Sequence, residues 1–492
     1  MCANPLNTVL LCLLCEEFGG TLPENRTKLY LGMIECVLRR YRKKTELPDT
    51  KEDLTNLYKS QLKTLGSIAL NGLIDDKLDF DENELGKHAS DLAAFGFLSV
   101  HPGRSKLRPS QHYAFLHKSF QECFAAFYIS CEIQDIQITP EILVSDKRYF
   151  SSLKQVLLFS CGILAEQSDQ QAMALVSSIG DRVDNLDDDN SRAVAVVLEA
   201  INECKRKKDD FHLQLARLLG SNMTRESVYL QSQGNELTLI LSEALKVNKT
   251  LSYLNFMANQ ISDAGATSIA EAMKVNKTLT KLNLYYNQIS VAGATAIAEA
   301  IKVNENLTDL NLSDNEISVA GATAIAESIK VNETLTNLNL SGNGIRDVGA
   351  TSIAKAIKVN KTMTNLNLSL NRISDASATS IAEAIKANVT LTNLDLSRNQ
   401  IVKVEGDLFG HSWEEEKAGG QQALMNVDSR LLDQDVSQCL DGKAWEKHEM
   451  EQVCTPRDLA QDTADCLNRL ETDPSTGKRV VLRVQITLYK DS

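Results

Sequence analysis

Two hydrophobic regimes divide the chain. From about residue 233 to 401, a short alternating stretch repeatedly gives way to one with apolar residues at helical spacing. Aligning Leu251, Leu279, Leu307, Leu335, Met363 and Leu391 fixes the period at 28 residues. One unit runs Leu279-Thr-Lys-Leu282-Asn-Leu284-Tyr-Tyr-Asn287-Gln-Ile289, then Gly293-Ala294, then Ile297-Ala298-Glu299-Ala300-Ile301-Lys302. Leu282 and Leu284 share one face of a predicted strand and Asn283 takes the other, because side chains alternate along a strand. Ala294, Ile297, Ala298 and Ile301 fall at i, i+3, i+4 and i+7, the apolar stripe of an amphipathic helix. Five complete units follow one another, and stacking is obligatory because no single unit can bury its apolar face.

Asn259, Asn287, Asn315, Asn343, Asn371 and Asn399 stand at each strand exit. A buried amide there is expected to bond the turn backbone of its own and the neighbouring unit, giving a ladder. Ser377 stands where other units carry Gly265, Gly293, Gly321 and Gly349. If that position needs a positive φ, Ser377 costs about 1 kcal/mol and its unit is the least regular.

Residues before about 220 have no period but read as helices. Leu54 to Ile74 carries Leu57, Leu62, Leu65, Ile68 and Leu70 on a broad apolar face, and Asp81 to Phe95 reads as another helix. Phe97–Val100, a Gly/Pro-containing turn and Tyr113–His117 then read as two strands of a small wing. An aromatic helix follows from Ser119 to Ile133.

The repeat pattern resembles leucine-rich repeats of the ribonuclease-inhibitor type, which implies a curved array with its strands on the concave side. The string Tyr113-Ala-Phe-Leu-His117-Lys-Ser-Phe-Gln-Glu122-Cys-Phe-Ala-Ala-Phe-Tyr128 resembles the end of the winged helix in NACHT-type NLR receptors. The opening Cys2-Ala-Asn-Pro5-Leu and Leu22-Pro-Glu-Asn-Arg26-Thr-Lys-Leu-Tyr30 are similar to the last part of the first helical domain of those receptors. The resemblance implies that His117 contacts the diphosphate of ADP and that Pro5 packs on adenine, once a nucleotide-binding core is present. This chain contains no GxxxxGK[ST]; Gly477-Lys478 is followed by Arg479, with Thr472 where the first glycine belongs. The expectation is therefore no enzyme activity and no cofactor in this chain, with ADP or ATP entering only through an upstream nucleotide-binding domain. A receptor fragment beginning inside the first helical domain accounts for this most simply.

Composition sharpens the picture in three ways. Lys plus Arg is 52 against 65 Asp plus Glu, a net charge of −13, which argues against nucleic acid as a partner. Eleven cysteines, with none between residues 205 and 438, fit reduced thiols in a cytoplasmic protein better than a secreted disulfide framework. No apolar run reaches the roughly 18 residues that span a bilayer.

Together these features predict an α/β multidomain chain, with helical and winged-helix domains followed by a leucine-rich-repeat horseshoe. The expected segments are the end of a first helical domain (1–50), a winged helix (51–133), a second helical domain (134–222), the repeats (223–405) and an unassigned tail (406–492). In the tail, Val480, Leu482, Val484, Ile486 and Leu488 alternate as one strand. The concave face is expected to bind a protein ligand or effector through Tyr253, Met257, Lys281, Tyr285, Tyr286 and Asp309, exposed tyrosine being enriched at binding hot spots. The leading functional expectation is an NLR-like innate immune sensor or regulator, with oligomerisation on activation implied by the resemblance. The alternative is a stand-alone ribonuclease-inhibitor-like scaffold regulating an enzyme or small GTPase.

Overall fold

A computed structural model of the chain describes residues 25–48, 50–86, 89–102, 111–184, 191–401 and 424–426, together with Cys15 and Pro23. Pro5, the turn at 103–110 and the expected strand around residue 484 lie outside the described residues. Two compact units divide the chain, residues 1–251 and 252–492.

The first unit is mainly helical. Helix α1 (Arg26–Lys44) starts where the Asn25 side chain accepts from the Lys28 N–H and ends on Arg42, Lys43 and Lys44, cations suited to the carbonyl end of the helix dipole. It buries Leu29, Tyr30, Met33, Ile34 and Leu38. The Leu54–Ile74 stretch forms two helices, α2 (Leu54–Leu57) and α3 (Lys59–Ile74), parted at Tyr58. The Tyr58 ring is drawn edge-on to Tyr41 and Phe95, at 6.1 and 5.3 Å between centroids, and Leu57, expected on the apolar face, is exposed.

The stretch from Asp81 to Phe95 is not one helix. Asp79–Asp81 is a strand (β1) that buries Phe80 between two exposed or half-exposed aspartates. Asp81 then accepts from the N–H groups of Asn83 and Glu84 while Glu84 returns a carboxylate to the Asp81 N–H, a box that starts α4 (Glu82–Leu85). Gly86, at φ +62, stops it within one turn, and α5 (Ala89–Ala94) is separate. The helical spacing was genuine at both ends, but local capping overrode continuity.

Strands β2 (Leu98–Pro102) and β3 (Gln111–Phe115) complete a three-stranded antiparallel sheet in the order β1-β3-β2, with Tyr113 opposite both Phe80 and Val100. Behind β3 runs α6 (Lys118–Gln134), almost wholly buried, packed on α3. Their approach is so close that a Cβ on Gly66 would lie 2.3 Å from the Phe124 carbonyl oxygen. Further helices follow: α7 (Pro140–Ser145), α8 (Lys154–Gln167), α9 (Asp169–Asp184), α10 (Ser191–Glu203), α11 (Phe211–Asn222) and, after the short strand β4 (Ser227–Tyr229), α12 (Gly234–Leu245). The Tyr30 ring of α1 meets Phe120 and Phe159 edge-on at 5.3 Å, tying α1 to α6 and α8.

The second unit alternates strands β5 (Tyr253–Asn255), β6 (Lys281–Asn283), β7 (Asp309–Asn311), β8 (Asn337–Asn339), β9 (Asn365–Asn367) and β10 (Asn393–Asp395) with helices α13 (Asp263–Val275), α14 (Val291–Val303), α15 (Ser318–Ile329), α16 (Arg346–Ile357) and α17 (Asp375–Ala387). All neighbouring strands are parallel and pair residue n with residue n+28, as Leu254↔Leu282↔Leu310. Beyond Ile401, Leu424–Asn426 (β11) pairs parallel with β10. The predicted inward residues form the core: Leu282, Leu284, Ile289, Ala294, Ile297, Ala298 and Ile301 are at most 2% exposed.

The glycine position is corrected by the structure. Gly293, Gly321 and Gly349 lie inside helices and none has a positive φ. They are small because a Cβ on Gly293 would meet Asp263 Oδ1 at 2.7 Å and Ala266 Cβ at 2.9 Å. Ser377 fits because its hydroxyl donates to Asp347 Oδ1 at 2.8 Å, and its unit is as regular as the others.

Candidate protein-binding face

The strands present three residues each, of which the middle leucine points into the core and the outer two point away from it. Parallel in-register pairing therefore lines the outer residues into rows across the sheet. The first row is Tyr253, Lys281, Asp309, Asn337, Asn365 and Asn393; the second is Asn255, Asn283, Asn311, Asn339, Asn367 and Asp395.

The first row is bonded along itself. Asn337 Nδ2 donates to Asp309 Oδ2 at 3.3 Å, Asn365 donates to Asn337, and Asn393 donates to Asn365. The second row is bonded to its own turns. Asn283 Oδ1 accepts from the Tyr285 N–H at 3.0 Å, Asn311 from Ser313 at 3.0 Å, Asn339 from Ser341 at 3.0 Å and Asn367 from Ser369 at 2.9 Å. Asp395 holds the Ser397 N–H in the same way, at 2.9 Å.

The structure brings all six face residues expected from sequence onto three adjacent strands and their exits. Tyr253, Lys281 and Asp309 are successive register partners. Met257 and Tyr285 are equivalent positions two residues beyond β5 and β6, and the Tyr285 and Tyr286 rings lie 5.9 Å apart. Tyr286 is 63% exposed and sits at φ +56, as do its counterparts Ala258, Leu370 and Arg398 within two degrees. A largely exposed aromatic side chain in the left-handed region, in ring contact with Tyr285, contributes little to folding for the strain it carries.

Beneath the face, the expected asparagine ladder is present. Asn287 Nδ2 donates to the Phe256 and Leu284 carbonyls at 3.0 Å, and its Oδ1 accepts from the Asn259 and Ile261 N–H groups at 3.0 Å. Asn371 and Asn399 repeat the arrangement. A second ladder escaped the sequence analysis. Asn304, Asn332, Asn360 and Asn388 follow each helix and donate to a carbonyl at the helix end one unit earlier, Met273, Ile301, Ile329 and Ile357, at 2.7–2.8 Å. Its signal was the recurring Lys-Val-Asn at 28-residue spacing.

Asp263 and Asp347 were also missed. Asp263 accepts from Ser290 N–H, Ser290 Oγ and Gly293 N–H of the next unit. Burial alone pushes this carboxyl up, but the Ser290 and Gly293 donors together hold it below the usual aspartate range.

In the first unit, His117 does not end a strand. It precedes α6, where its Nδ1 accepts from the Ser119 N–H at 3.1 Å. That bond assigns the ring proton of the neutral imidazole to Nε2, leaving one N–H donor. Elsewhere in the first unit, Glu203 accepts from the Thr27 N–H at 2.9 Å and the Thr27 hydroxyl at 2.6 Å, while Asn25 donates to the Glu203 and Lys205 carbonyls at 2.9 Å. Burial pushes the Glu203 carboxyl up against the opposing pull of Thr27.

Strand-turn-helix units in parallel register, with leucines inward and an asparagine at each strand exit, define leucine-rich repeats. A family model described as "Leucine Rich repeat" matches residues 247–270, 275–298, 303–326, 331–354, 359–382 and 387–406. Among characterised proteins, the chain is similar to the "NACHT, LRR and PYD domains-containing protein 12" of Mus musculus, 36% identical over 107 residues, covering 21% of this chain and 10% of that protein. The match thus spans about a tenth of that relative's length. Among solved structures, "Leiomodin-1 Actin-Binding Site 2 (ABS2)" is 29% identical, covering 26% of this chain and 78% of that one, with a TM-score of 0.23 that carries no argument about fold or function. Among the described residues no helix is long and apolar enough to cross a membrane.

Proposed function

We propose that this chain is a protein-binding regulator of the NLR type, whose repeats form a horseshoe that takes a protein ligand or effector on its strand face. The observation that carries the reading is the cluster of half-buried Tyr253, Met257 and Tyr285 with exposed Tyr286, beside Lys281 and Asp309, on adjacent strands and their exits. Large amphipathic rings of this kind supply contact area at low entropic cost. The similarity to a mouse protein whose name carries both NACHT and LRR supports the NLR assignment, as does the α6 string from His117 to Tyr128.

In this reading β1–β3 with α3 and α6 are a winged helix, and the helices from α7 onward are a second helical domain. The protein works in the cytoplasm, is not an enzyme and assembles with further copies when activated. His117 fits a phosphate contact in one respect, since the Nδ1 bond to Ser119 leaves Nε2 as the ring's N–H donor. A single imidazole does not hold a nucleotide, and the sequence supplies no Walker phosphate loop to join it. Function in this chain is therefore carried by the repeats.

The test is crosslinking mass spectrometry of the full chain in cells, comparing the wild type with a Tyr253→Ala, Tyr285→Ala, Tyr286→Ala variant. Protein crosslinks mapping to residues 253–309 and lost in the variant are expected. Crosslinks that persist unchanged in the folded variant would overturn the reading.

A further inference from the structure

The two outer rows of the strand face differ in a way that names a partner. In the first row, three amides spend their donors on one another and on Asp309. In the second row, the turn N–H groups take the Oδ1 atoms of Asn283, Asn311, Asn339 and Asn367. An amide whose oxygen is fixed by an N–H must turn its NH2 the other way. Among the described residues, these four half-buried Nδ2 groups donate to no protein atom. The result is four like donors in a line, one per strand, ending at the carboxylate of Asp395.

The spacing of that line selects the occupant. Neighbouring strands are about 4.8 Å apart, so the donors stand at roughly 0, 4.8, 9.6 and 14.4 Å. A helix lying across the strands presents residues i, i+3, i+7 and i+10 on one face at about 0, 4.5, 10.5 and 15 Å. An extended peptide in the same direction presents same-side residues only about every 6.7 Å and is out of step by the second donor. At the β5 end the line reaches Asn255, whose Nδ2 donates to the Tyr253 hydroxyl at 3.3 Å, and Met257, Tyr285 and Tyr286 lie just beyond at the exits of β5 and β6, where an apolar side chain of the helix would seat.

We infer that the second-row asparagines form a docking track for an α-helix that carries hydrogen-bond acceptors (Glu, Gln or Asp) at i, i+3, i+7 and i+10 and an apolar anchor near one end. This rests on the protein-binding reading above and deepens it. On the neighbouring row Lys281 stands beside Asp309, and Asp395 ends the line, so the amide donors and not net charge select the acceptors of the helix.

Two synthetic helical peptides test the inference against the full chain. Both carry one terminal Leu-Trp anchor and the same number of glutamate γ-methyl esters, neutral acceptors with no side-chain N–H, in one peptide at i, i+3, i+7 and i+10, in the other spread around all faces. Binding is read by fluorescence anisotropy, and the side-chain NH2 signals of asparagines are followed by NMR. The aligned peptide is expected to bind roughly tenfold tighter and to shift the NH2 signals of Asn283, Asn311, Asn339 and Asn367 but not those of Asn365 and Asn393. The variant Asn311→Asp, Asn339→Asp keeps the turn acceptor, as Asp395 does naturally, and removes two donors. It should lose most of the preference for the aligned peptide, because the neutral ester acceptors bring neither charge repulsion nor an N–H that could donate to the new carboxylates.

Equal affinity for the two peptides, or a preference that survives in the aspartate variant, would overturn the inference. A proline-containing extended peptide that outbinds the helix and shifts the Tyr285 and Tyr286 signals would also overturn it while leaving the protein-binding reading standing. Loss of that broader reading would show instead as unchanged crosslinks in the tyrosine variant.

Discussion

Asp263 in one repeat holds the helix start of the next by accepting from both the backbone N–H (2.8 Å) and the hydroxyl (2.6 Å) of Ser290. Asp347 does the same for Ser374, at 2.7 and 2.8 Å. Where the equivalent residue is Val291 or Val319, the next unit starts differently. Ser318 and Arg346 swing to φ +57 and +56 and give their N–H groups to the Asn343 and Asn371 carbonyls. One carboxylate thus selects between two backbone routes into the helix.

Replacing Asp263 with Ala should cost about 1–2 kcal/mol in urea unfolding, the usual loss for a helix cap. Asp263 and Asp347 are both held below the usual aspartate range, burial opposing and the Ser and Gly or Ser377 donors prevailing. A depressed folded value means that their contribution is present above the unfolded value of about 3.9 and is lost as pH falls through the folded one. The stability gap between wild type and D263N should therefore be narrower at pH 3 than at pH 7; a constant gap would count against the carboxylate's role.

Asn371 is wholly buried and serves the Asn343 and Ile345 N–H groups, at 2.9 and 3.3 Å. Asn371→Ala should cost about 2–5 kcal/mol, since two buried donors lose their partner. Asn367→Ala, four residues earlier and half-exposed, should cost about 1 kcal/mol or less, because water replaces its bond. Denaturant midpoints of the two variants measure the difference, and hydrogen exchange should place the Asn371 lesion in both neighbouring repeats.

Glu203 behaves in the opposite sense to the repeat aspartates. Burial raises its folded value, so its contribution to stability is complete below the unfolded value of about 4.3 and is lost as pH rises through the folded one. Glu203→Gln keeps an acceptor for Thr27 without the charge. The variant should match wild type near pH 4 and exceed it at pH 7, with thermal unfolding at the two pH values as the readout. A variant less stable than wild type at pH 7 would mean that the Thr27 bonds need the ionised form.

Tyr286 holds a left-handed backbone with a ring that is 63% exposed. Glycine occupies the equivalent place at Gly342, φ +70. Tyr286→Gly should leave stability unchanged or raise it by about 1 kcal/mol, by relief of the left-handed strain. Combined with weakened partner crosslinking, that result would separate a binding role from a folding one; a large loss of stability would assign the ring to folding.

The repeats were legible because two periods, 2 within strands and 3.6 within helices, recur at a fixed 28-residue interval. The first asparagine ladder was legible for the same reason. The glycine position misled because small size has two causes, a positive φ and a close neighbour, and sequence alone does not tell Gly293 against Asp263 from Gly342 at φ +70. In the first unit, Asp79–Leu85 was misjudged because a three-residue strand and a one-turn helix are too short for periodicity to register. The face residues were found from residue type and parity, whereas the split between self-bonded and open amides depends on which oxygen each turn captures. The Glu203–Thr27 contact joins positions 176 apart in the chain and left no local trace.

Both asparagine ladders count in the same step, since every rung reaches a fixed number of residues back along the chain, 31 to the carbonyl it donates to, while strands meet at 28. Insertion or loss of one residue at any point breaks every rung that crosses it, whereas a whole unit of 28 can be duplicated or excised and leave each amide matched. The gene can therefore lengthen or shorten this protein's reach only in quanta, each a whole number of codons, and each quantum adds or removes one strand's worth of surface.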